Sequence, residues 1–454
     1  MTVIRNTSAP TSWTPTSWRD HPIAQQPNWP DPAEHEAVLK EISRRPPLVF
    51  AGEIRTLRDR LADVCAGRSF LLQGGDCVET FDAFSADSIR DKLKVLLQMA
   101  IVLTYGSKTP VVKVGRIAGQ FAKPRSSETE TVDGVTLEAY RGPAANDLAF
   151  LPEARRPDPR RLLQVYEQSA ATLNLVRAFT QGGFASLRQV HAWNREFIRD
   201  SPRGRDYEQV ATGIDNALGF ARACGMGVDQ AAASQVEFFT SHDALFLGYE
   251  EALTRTDSLT GEYYNVSTHF PWIGERTRDP DGAHVQYFSG VGNPIGCKLG
   301  PGTTTDELDA LVARLNPDNI PGRLTFIVRM GKDLIEANLP PLIRHARAKG
   351  HQVVWSCDPM HGNTFTASTG QKTRRWKDIM SEVRSFFAIH RQEGTHAGGV
   401  HIELTGEQVT ECLGGAGNIT ESDLLTRYET ACDPRLNNEQ ALELAFCLVG
   451  FLHA

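Results

Sequence analysis

The chain has few cysteines for its length, and those that it has are scattered. Its 454 residues contain eight cysteines and no CxxC pair, which argues against a disulfide framework and against a four-thiolate zinc site. No apolar run of about 18 residues occurs, and the first residues lack the charged-then-apolar order of a signal peptide. We therefore expect a cytoplasmic protein whose cysteines are mostly buried small hydrophobic residues.

Positive charge is also in short supply. The chain has 48 Lys and Arg against 55 Asp and Glu, a net charge of -7 and a pI near 6.0. That balance gives no electrostatic footprint for nucleic acid, so an anionic ligand must meet locally placed Arg and Lys. No GxGxxG or GxxxxGK[ST] loop follows a predicted strand. This absence argues against binding of a dinucleotide or a nucleoside triphosphate.

From about residue 69 onward, short β-rich runs bounded by Gly or Pro alternate with amphipathic helical stretches. Eight runs qualify as strands, at residues 69–77, 110–119, 234–242, 263–274, 293–301, 323–331, 351–360 and 398–406. Several are almost continuously apolar with polar residues at their C-terminal ends, as in parallel strands that are covered on both faces. The pattern predicts a (β/α)8 TIM barrel, with a doubly wound sheet as the alternative.

Two regions depart from regular βα repetition. Residues 1–50 are rich in Pro, Ser, Thr and Trp with one short helical stretch, so we expect an N-terminal extension followed by a catalytic barrel at 51–454. About 115 residues separate the second and third predicted strands, far more than one helix needs. We predict a helical insertion at about 150–233, although ASLRQVHAW (185–193) could pass for another strand.

Four side chains at or beyond the predicted strand ends could bind a metal ion. In a barrel of this kind the active site lies at the C-terminal ends of the strands. One thiol, one imidazole and two carboxylates would gather there, from Cys77, His361, Glu403 and Asp433. Such a set suits a divalent ion of borderline softness, namely Mn, Co, Fe or Zn. The alternative is that Cys77 is a buried small residue and the others cap helices or pair with arginines.

A second group of side chains near the strand ends is basic. It comprises Arg116, Lys123, Arg125, Arg276, Lys298 and Arg329. Because buried cations are costly unless an anion compensates them, their repeated occurrence at strand ends predicts phosphate and carboxylate ligands. Salt bridges at the barrel mouth are the alternative. Glu275 precedes Arg276 and lies close to where Lys298 should emerge, an adjacency that could tune a proton donor or base.

Other titratable side chains are weaker candidates. Four histidines sit in or beside apolar segments, where a core histidine with satisfied hydrogen bonds is the common case: His191, His242, His269 and His401. Cys432 differs because it immediately precedes Asp433. If Asp433 and Cys77 bind one metal ion, the two thiols could come close enough to form an oxidative disulfide.

Nine separated motifs together resemble one family. They are QGGDC, KVGRIAGQFAKPRS, WIGERTR, CKLGP, RMG, CDPMHGNT, GGVHIELTGE, TECLGG and YETACDPRLN. In this order, from about residue 25 to the C-terminus, they resemble the class II (plant-type) 3-deoxy-D-arabino-heptulosonate 7-phosphate (DAHP) synthases, the first enzymes of the shikimate pathway. The resemblance implies a (β/α)8 barrel, a divalent metal ion, and condensation of phosphoenolpyruvate with D-erythrose 4-phosphate.

The resemblance also implies which residues act. Four would bind the metal ion, the set already chosen on chemistry: Cys77, His361, Glu403 and Asp433. Phosphoenolpyruvate would meet the side chains of Arg116, Lys298 and Arg329 and the backbone of Glu275 and Arg276. The aldose phosphate would meet Lys123, Arg125, Ser126 and the side chain of Arg276. Glu275 and Lys298 would manage the proton of the water that adds to phosphoenolpyruvate, and with Cys77 and His361 they form the catalytic set.

Alternatives and partners follow from the same resemblance. A related synthase could use an amino or imino sugar phosphate in secondary metabolism. A non-catalytic metabolite sensor should have lost a metal ligand or a phosphate-binding arginine, and neither loss is seen. Relatives bind aromatic amino acids in regions like the N-terminal extension and residues 200–235, so we expect at least one feedback site. A homo-oligomer is favoured by analogy with the family, and association with chorismate mutase is left open.

Overall fold

The computed structural model describes residues 13–225 and 236–453. Eight parallel strands close into a barrel: β1 (Phe70–Gly75), β2 (Val111–Arg116), β3 (Phe239–Asp243), β4 (Phe270–Ile273), β5 (Ile295–Leu299), β6 (Leu324–Val328), β7 (Val353–Cys357) and β8 (Gly399–Glu403). Seven strands lie within their predicted runs and β3 ends one residue beyond the run at 234–242, which confirms the TIM barrel. The run at 263–274 is longer than its strand, because Tyr263–Asn265 pairs with Thr254–Thr256 outside the barrel.

Strand register brings distant residues to the same level of the barrel. β1 lies between β8 and β2, and Gly75 at its end pairs with both Glu403 and Arg116. Gly75 has a φ of 142°, and a Cβ there would lie 2.6 Å from the carbonyl oxygen of Arg116. Only glycine allows this close approach. The chain can therefore leave β1 between Glu403 and Arg116, and this path places Cys77 at the C-terminal end of the barrel.

Helices surround the barrel and extend it. They are α1 (Pro32–Ser43), α2 (Ala51–Cys65), α3 (Ala86–Ser107), α4 (Pro152–Arg155), α5 (Arg161–Gln181), α6 (Leu187–Asp200), α7 (Gly204–Ala223), α8 (Leu247–Ala252), α9 (Ala283–Phe288), α10 (Thr305–Leu315), α11 (Ile335–Lys349), α12 (Trp376–Gln392) and α13 (Asn438–His453). Short 3-10 helices occur at Ser17–Asp20, His361–Asn363 and Asp423–Leu425. No helix of residues 13–225 and 236–453 is long and apolar enough to cross a membrane.

The predicted extra helices lie between β2 and β3. They are α4 to α7, preceded by an antiparallel hairpin of Thr129–Val132 and Val135–Glu138. The segment 185–193 leads into α6, which begins at Leu187, and does not form a strand; Ser186 caps that helix by accepting a hydrogen bond from the backbone N–H of Gln189. Residues 226–233 of the predicted insertion lie outside the described part of the chain.

Helix α2 closes the N-terminal end of the barrel. Its Leu57, Leu61 and Val64 are fully buried and form one apolar cluster with the first residues of five strands: Leu71, Val112, Phe239, Phe270 and Val354. The helix repeats apolar residues every three or four positions, so one face supplies the whole contact.

The boundary drawn between an extension at 1–50 and a barrel domain at 51–454 stays a prediction, and residues 1–12 lie outside the described structure.

Candidate active site at the C-terminal end of the barrel

A cavity of about 220 Å³ lies at the C-terminal ends of the barrel strands. Its wall includes every residue assigned to a substrate from the sequence: Arg116, Lys123, Arg125, Ser126, Glu275, Arg276, Lys298 and Arg329. His361 and Asp433 of the predicted metal-binding set line it too, whereas Cys77 and Glu403 are completely buried beside it. Residues from most of the chain length thus meet at one end of the barrel.

Three of the four predicted metal-binding side chains form a compact group. The ligand atoms of Cys77, Glu403 and Asp433 all lie within 4.8 Å of one another. His361 stands outside that group but touches it, since its Nε2 lies 3.1 Å from Glu403 Oε1. The pairing of β1 with β8 brings Cys77 and Glu403 together, and the backbone N–H of Asp433 donates to Cys77 Sγ at 3.3 Å.

The ammonium group of Lys123 lies inside this group. Its Nζ is 2.7 Å from Asp433 Oδ2, 3.0 Å from Cys77 Sγ and 3.6 Å from Glu403 Oε1. Burial would lower the pKa of Lys123, but Asp433 and the other anionic neighbours hold it well above its usual range. A thiol, an imidazole and two carboxylates around a point that already holds positive charge fit a divalent cation of borderline softness. A divalent ion bound at this point would displace the ammonium group of Lys123, whose side chain also lines the cavity.

Glu403 is the most heavily paired carboxylate of the site. It is fully buried, accepts from Arg116 at 2.9 Å and from Arg374 at 2.8 Å, and also contacts His361. Burial alone would raise the pKa of Glu403, but His361 and the surrounding cations hold it well below its usual range. Glu403 is therefore an anion in a buried setting, as a metal ligand must be. Arg374 was not predicted from the sequence.

Asp358 connects the metal-binding set to the substrate-binding set, and sequence reasoning missed it. Its buried carboxylate accepts from Lys298 Nζ at 3.0 Å and from His361 Nδ1 at 2.7 Å. Burial would raise the pKa of Asp358, but His361 and Lys298 hold it well below its usual range. With Nδ1 bound to Asp358, Nε2 of His361 is the nitrogen left for a metal ion. Asp358 directly follows β7, and this position was the signal available in the sequence.

A chain of buried hydrogen bonds holds Arg116. Its guanidinium donates to His401 Nε2, while the other ring nitrogen, Nδ1, is 2.7 Å from Gln73 Oε1. Gln73 in turn donates to Ser241 at 3.0 Å. Burial, with Lys298 and Arg116 nearby, lowers the pKa of His401 well below its usual range. His401 is thus a neutral acceptor that orients Arg116, whereas the sequence analysis considered it only as a core histidine.

The other predicted substrate residues lie around the rim of the cavity. The guanidinium of Arg125 is paired with Glu130 of the 129–138 hairpin, and the backbone N–H of Arg125 donates to Gln25 at 2.7 Å. Arg329 donates to the carbonyl oxygen of His361 at 3.3 Å. Arg276 is exposed. The N-terminal extension and the hairpin therefore both reach the edge of the site.

The remaining histidines and Cys432 have separate surroundings. His191 pairs with Asp215, and His242 pairs with Glu250 at 2.9 Å, so both have structural partners away from the metal-binding set. His269 accepts from the backbone N–H of Thr240 at 3.0 Å. The neighbouring Cys77 thiol lowers the pKa of Cys432, and burial raises the pKa of Cys77 well above its usual range. The disulfide between the two thiols stays a prediction.

A closed parallel barrel with a cation-lined cavity beside buried anionic ligands defines a (β/α)8-barrel enzyme that binds anionic substrates. The chain belongs to the class-II DAHP synthetase family, whose family model matches residues 13–449. Membership confirms both the resemblance and the prediction of an enzyme.

Similar proteins cover almost the whole chain. It is 59% identical to the phospho-2-dehydro-3-deoxyheptonate aldolase of Streptomyces coelicolor over 430 residues, 95% of each chain. It is 52% identical to the phospho-2-dehydro-3-deoxyheptonate aldolase AroG of Mycolicibacterium smegmatis over 437 residues, 95% of this chain and 93% of the relative. A solved phospho-2-dehydro-3-deoxyheptonate aldolase from Francisella tularensis aligns with 92% of this chain and 96% of its own, at 14% identity and a TM-score of 0.45. The barrel itself rests on the strand pairing of the present chain.

Proposed function

We propose that the chain condenses phosphoenolpyruvate with D-erythrose 4-phosphate and water to give DAHP and phosphate. One observation carries the proposal: seven Arg and Lys side chains line a single cavity next to a compact group of a thiol and two carboxylates. Two phosphorylated substrates repel each other, and a cationic cavity lowers the cost of holding both. Membership of the class-II DAHP synthetase family supports the same reaction.

The residues divide into three proposed roles. Cys77, His361, Glu403 and Asp433 hold a divalent ion, which would act as a Lewis acid on the aldehyde oxygen. Arg116, Lys298 and Arg329, with the backbone of Glu275 and Arg276, bind phosphoenolpyruvate. Lys123, Arg125, Ser126 and the side chain of Arg276 bind the aldose phosphate. The position of the eight substrate-binding residues around one cavity supports their proposed roles, and the close grouping of Cys77, Glu403 and Asp433 supports the metal-binding role.

The proposed chemistry needs correct orientation and one managed proton. Arg116, Lys298 and Arg329 hold phosphoenolpyruvate so that the π electrons between C2 and C3 form the bond from C3 to the aldehyde carbon. Glu275, with Lys298 nearby, accepts a proton from the water that adds to the cationic C2. Phosphate then leaves the resulting hemiketal, and the proton is returned to the oxygen that was the aldehyde oxygen. Arg278 holds one Glu275 oxygen at 3.2 Å, which fixes the base in position.

The test is phosphate release by the purified, metal-loaded protein. We expect release only when phosphoenolpyruvate and erythrose 4-phosphate are both present, loss with a strong chelator, and recovery with Mn, Co or Fe. An inactive metal-loaded protein would contradict the proposal. Replacing erythrose 4-phosphate with an amino or imino sugar phosphate distinguishes the alternative acceptor, which should give the faster release if secondary metabolism is the true role. The recovery series also identifies which ion supports the highest rate.

Regulation and assembly are further parts of the proposal. We propose at least one feedback site for an aromatic amino acid, and a homo-oligomer as the working form. Of the segment 200–235, residues 226–235 lie outside the described structure. Unchanged activity with saturating Trp, Phe and Tyr, alone and in combination, would exclude the feedback site. Sedimentation with and without chorismate mutase checks both the oligomer and that association.

A further inference from the structure

One buried carboxylate close to the active site takes no part in the proposed chemistry. Glu79 lies two residues after Cys77, is 8% exposed and does not line the active-site cavity. Its Oε1 accepts from the backbone N–H of Ala118 at 3.1 Å, and its Oε2 accepts from those of Gly119 at 3.0 Å and Gln120 at 2.9 Å. Three successive N–H groups that converge on one carboxylate form a backbone nest for an anion.

The backbone of this 118–120 turn has a conformation that needs support. Ala118 has a φ of 64° and Gly119 has a φ of 147°. The left-handed region costs free energy for an alanine, so it persists only where the surrounding structure holds it. A Cβ on Gly119 would clash with the ring of His242, so only glycine allows this close approach. The carboxylate of Glu79 therefore stabilises a conformation that is unfavourable for the turn by itself.

Two more hydrogen bonds fix the turn relative to the barrel. The backbone N–H of Glu79 donates to the carbonyl oxygen of Gln120 at 2.7 Å. The side-chain oxygen of Gln120 accepts from the backbone N–H of Asp243, the last residue of β3, at 2.9 Å. The turn is thus held from the segment that follows β1 on one side and from β3 on the other.

The turn leads directly into the residues that are proposed to bind the aldose phosphate. Lys123 and Arg125 follow Gln120 closely in the chain. Arg116, which is proposed to bind phosphoenolpyruvate, precedes the turn and is held separately by the pairing of β2 and by His401. A shift of the turn should therefore move the groups that bind the aldose phosphate and leave Arg116 in place.

Glu79 acts on the loop and not on a substrate. Both of its oxygens already accept from the turn, and its side chain lines a separate cavity of about 110 Å³ together with Lys92 and Gln168. Neither Lys92 nor Gln168 lines the active-site cavity. A carboxylate in this position cannot reach a reacting atom, so any effect of Glu79 on the reaction must pass through the turn.

We propose that Glu79 is a positioning residue: by holding the 118–120 turn, it sets where Lys123 and Arg125 meet the aldose phosphate. The inference rests on the proposed function. A full negative charge suits the nest, because hydrogen bonds to an ionised acceptor are the strong ones. An amide accepts on one atom only and would turn an NH2 group toward backbone N–H groups, so Gln is a poor substitute in spite of its equal size.

The experiment compares Glu79→Gln and Glu79→Ala with the wild type in the Mn-loaded full-length protein. We expect the KM for erythrose 4-phosphate to rise about tenfold in Glu79→Gln and about 10²-fold in Glu79→Ala, because misplaced cations lose charge-assisted hydrogen bonds to the phosphate. The kcat for phosphate release, and the Kd values for phosphoenolpyruvate and Mn from calorimetry, should stay within about threefold of wild type.

Glu407→Gln is the matched control. Glu407 lines the same 110 Å³ cavity as Glu79, but its carboxylate pairs with Arg427 at 3.1 Å and both side chains are partly exposed. The substitution therefore makes the same chemical change on the same cavity wall without touching the turn. It should keep the wild-type KM for both substrates.

Added acetate separates positioning of the turn from a general loss of structure. Glu79→Ala removes the part of the side chain that acetate can replace, and the vacated nest would open to the 110 Å³ cavity. Acetate should lower the raised KM of Glu79→Ala by about threefold or more relative to chloride at equal ionic strength, and should leave the wild type unchanged. A defect in folding would not respond to a small carboxylate in this way.

Several outcomes would overturn the positioning role. They are a KM for erythrose 4-phosphate within about twofold of wild type in both variants, an equal loss of phosphoenolpyruvate affinity, and no response of Glu79→Ala to acetate. If Glu79→Ala does not fold by circular dichroism, the isosteric Glu79→Gln decides alone. An inactive wild type refutes the proposed function as well, whereas an active wild type with unaffected variants refutes only the role of Glu79.

Discussion

The two ends of the barrel bury different kinds of side chain. At the N-terminal end, Leu57, Leu61 and Val64 of α2 pack on apolar residues of the strand starts. At the C-terminal end, Glu403 and Arg374 are just as buried but charged. Removing apolar surface from water stabilises the fold, whereas burying charge costs free energy unless partners compensate it. The N-terminal end of the barrel therefore stabilises the fold, whereas the C-terminal end lowers the stability in order to hold ions.

Compensation at the C-terminal end comes from a shared network. Glu403 pairs with two arginines, and Asp358 pairs with Lys298 and His361. Each charge has more than one partner, which keeps the groups ionised and fixed while water is excluded. Substitutions at the two ends should therefore affect different quantities. Those at the charged C-terminal end should lower activity, and those at the apolar N-terminal end should lower the free energy of unfolding.

The largest expected effect is on activity, from Cys77→Ala. Loss of one metal-binding thiol should lower kcat/KM by about 10³-fold or more, which corresponds to about 4 kcal/mol. Calorimetry should show a matching loss of Mn affinity. The unfolding midpoint should stay close to that of the wild type, because a small side chain is shortened by a single atom.

Cys65→Ala is the matched control at the other end of the barrel. Cys65 ends α2, and its thiol contacts the carbonyl oxygen of Val353 at 3.5 Å. This variant should keep wild-type activity and metal affinity. Equal losses in the two cysteine variants would show that activity depends on thiols in general, and would remove the contrast between the ends.

The second prediction is on stability, from Leu61→Ala. Leu61 is fully buried in the cluster that joins α2 to the strand starts. The lost apolar contact and the cavity left behind should lower the free energy of unfolding by about 2–5 kcal/mol. We expect kcat/KM of the folded protein to stay within about twofold of wild type. Urea denaturation measures the free energy of unfolding, and phosphate release under folding conditions measures kcat/KM. A large loss of activity in the folded protein would mean that α2 also shapes the site.

The third prediction concerns the residue that joins the two sets at the charged end. Asp358→Asn keeps the shape of the side chain but removes the charge that holds His361 and Lys298. Metal affinity should fall by about 10- to 100-fold, and the KM for phosphoenolpyruvate should rise as well. Asn363→Ala, which removes an amide that donates to Glu382 at 2.7 Å beside the same loop, serves as the control. A change in metal affinity alone, or in the KM for phosphoenolpyruvate alone, would contradict the bridging role of Asp358.

The sequence predicted the barrel and the residues at its strand ends for a physical reason. Buried parallel strands are short apolar runs, and chemistry concentrates where such runs end. This rule led to Arg116, Lys298, Arg329 and Glu403 without any knowledge of contacts. Asp358 obeys the same rule, since it follows β7 directly, although it was not among the predicted site residues.

Other parts of the site carry a weaker local signal. Arg374 belongs to a two-stranded pair of Thr364–Thr366 and Lys372–Arg374, and nothing near it in the chain indicates that it meets Glu403. The pairing partner of Arg125 lies on the 129–138 hairpin, whose Asp133 and Gly134 both have positive φ. An Asp-Gly pair between two short β-rich runs is a recognised hairpin signal, so the sequence does carry a local sign of this hairpin. The three backbone N–H groups that donate to Glu79 can be found only from packing.

The smallest expected effect sharpens the comparison at the apolar end, where one ion pair of α2 is about half exposed to solvent. Arg60 of α2 pairs with Glu237 at 2.8 Å, but the two side chains are 46% and 49% exposed. Solvent screens such a pair, and holding two long side chains in place costs entropy, so Arg60→Ala should change the free energy of unfolding by less than about 1 kcal/mol. Urea denaturation at low and at high salt measures the effect, which should shrink further as salt is added. A loss as large as that of Leu61→Ala would show that ion pairs also stabilise the N-terminal end. It would contradict the conclusion that this end is stabilised by apolar burial alone.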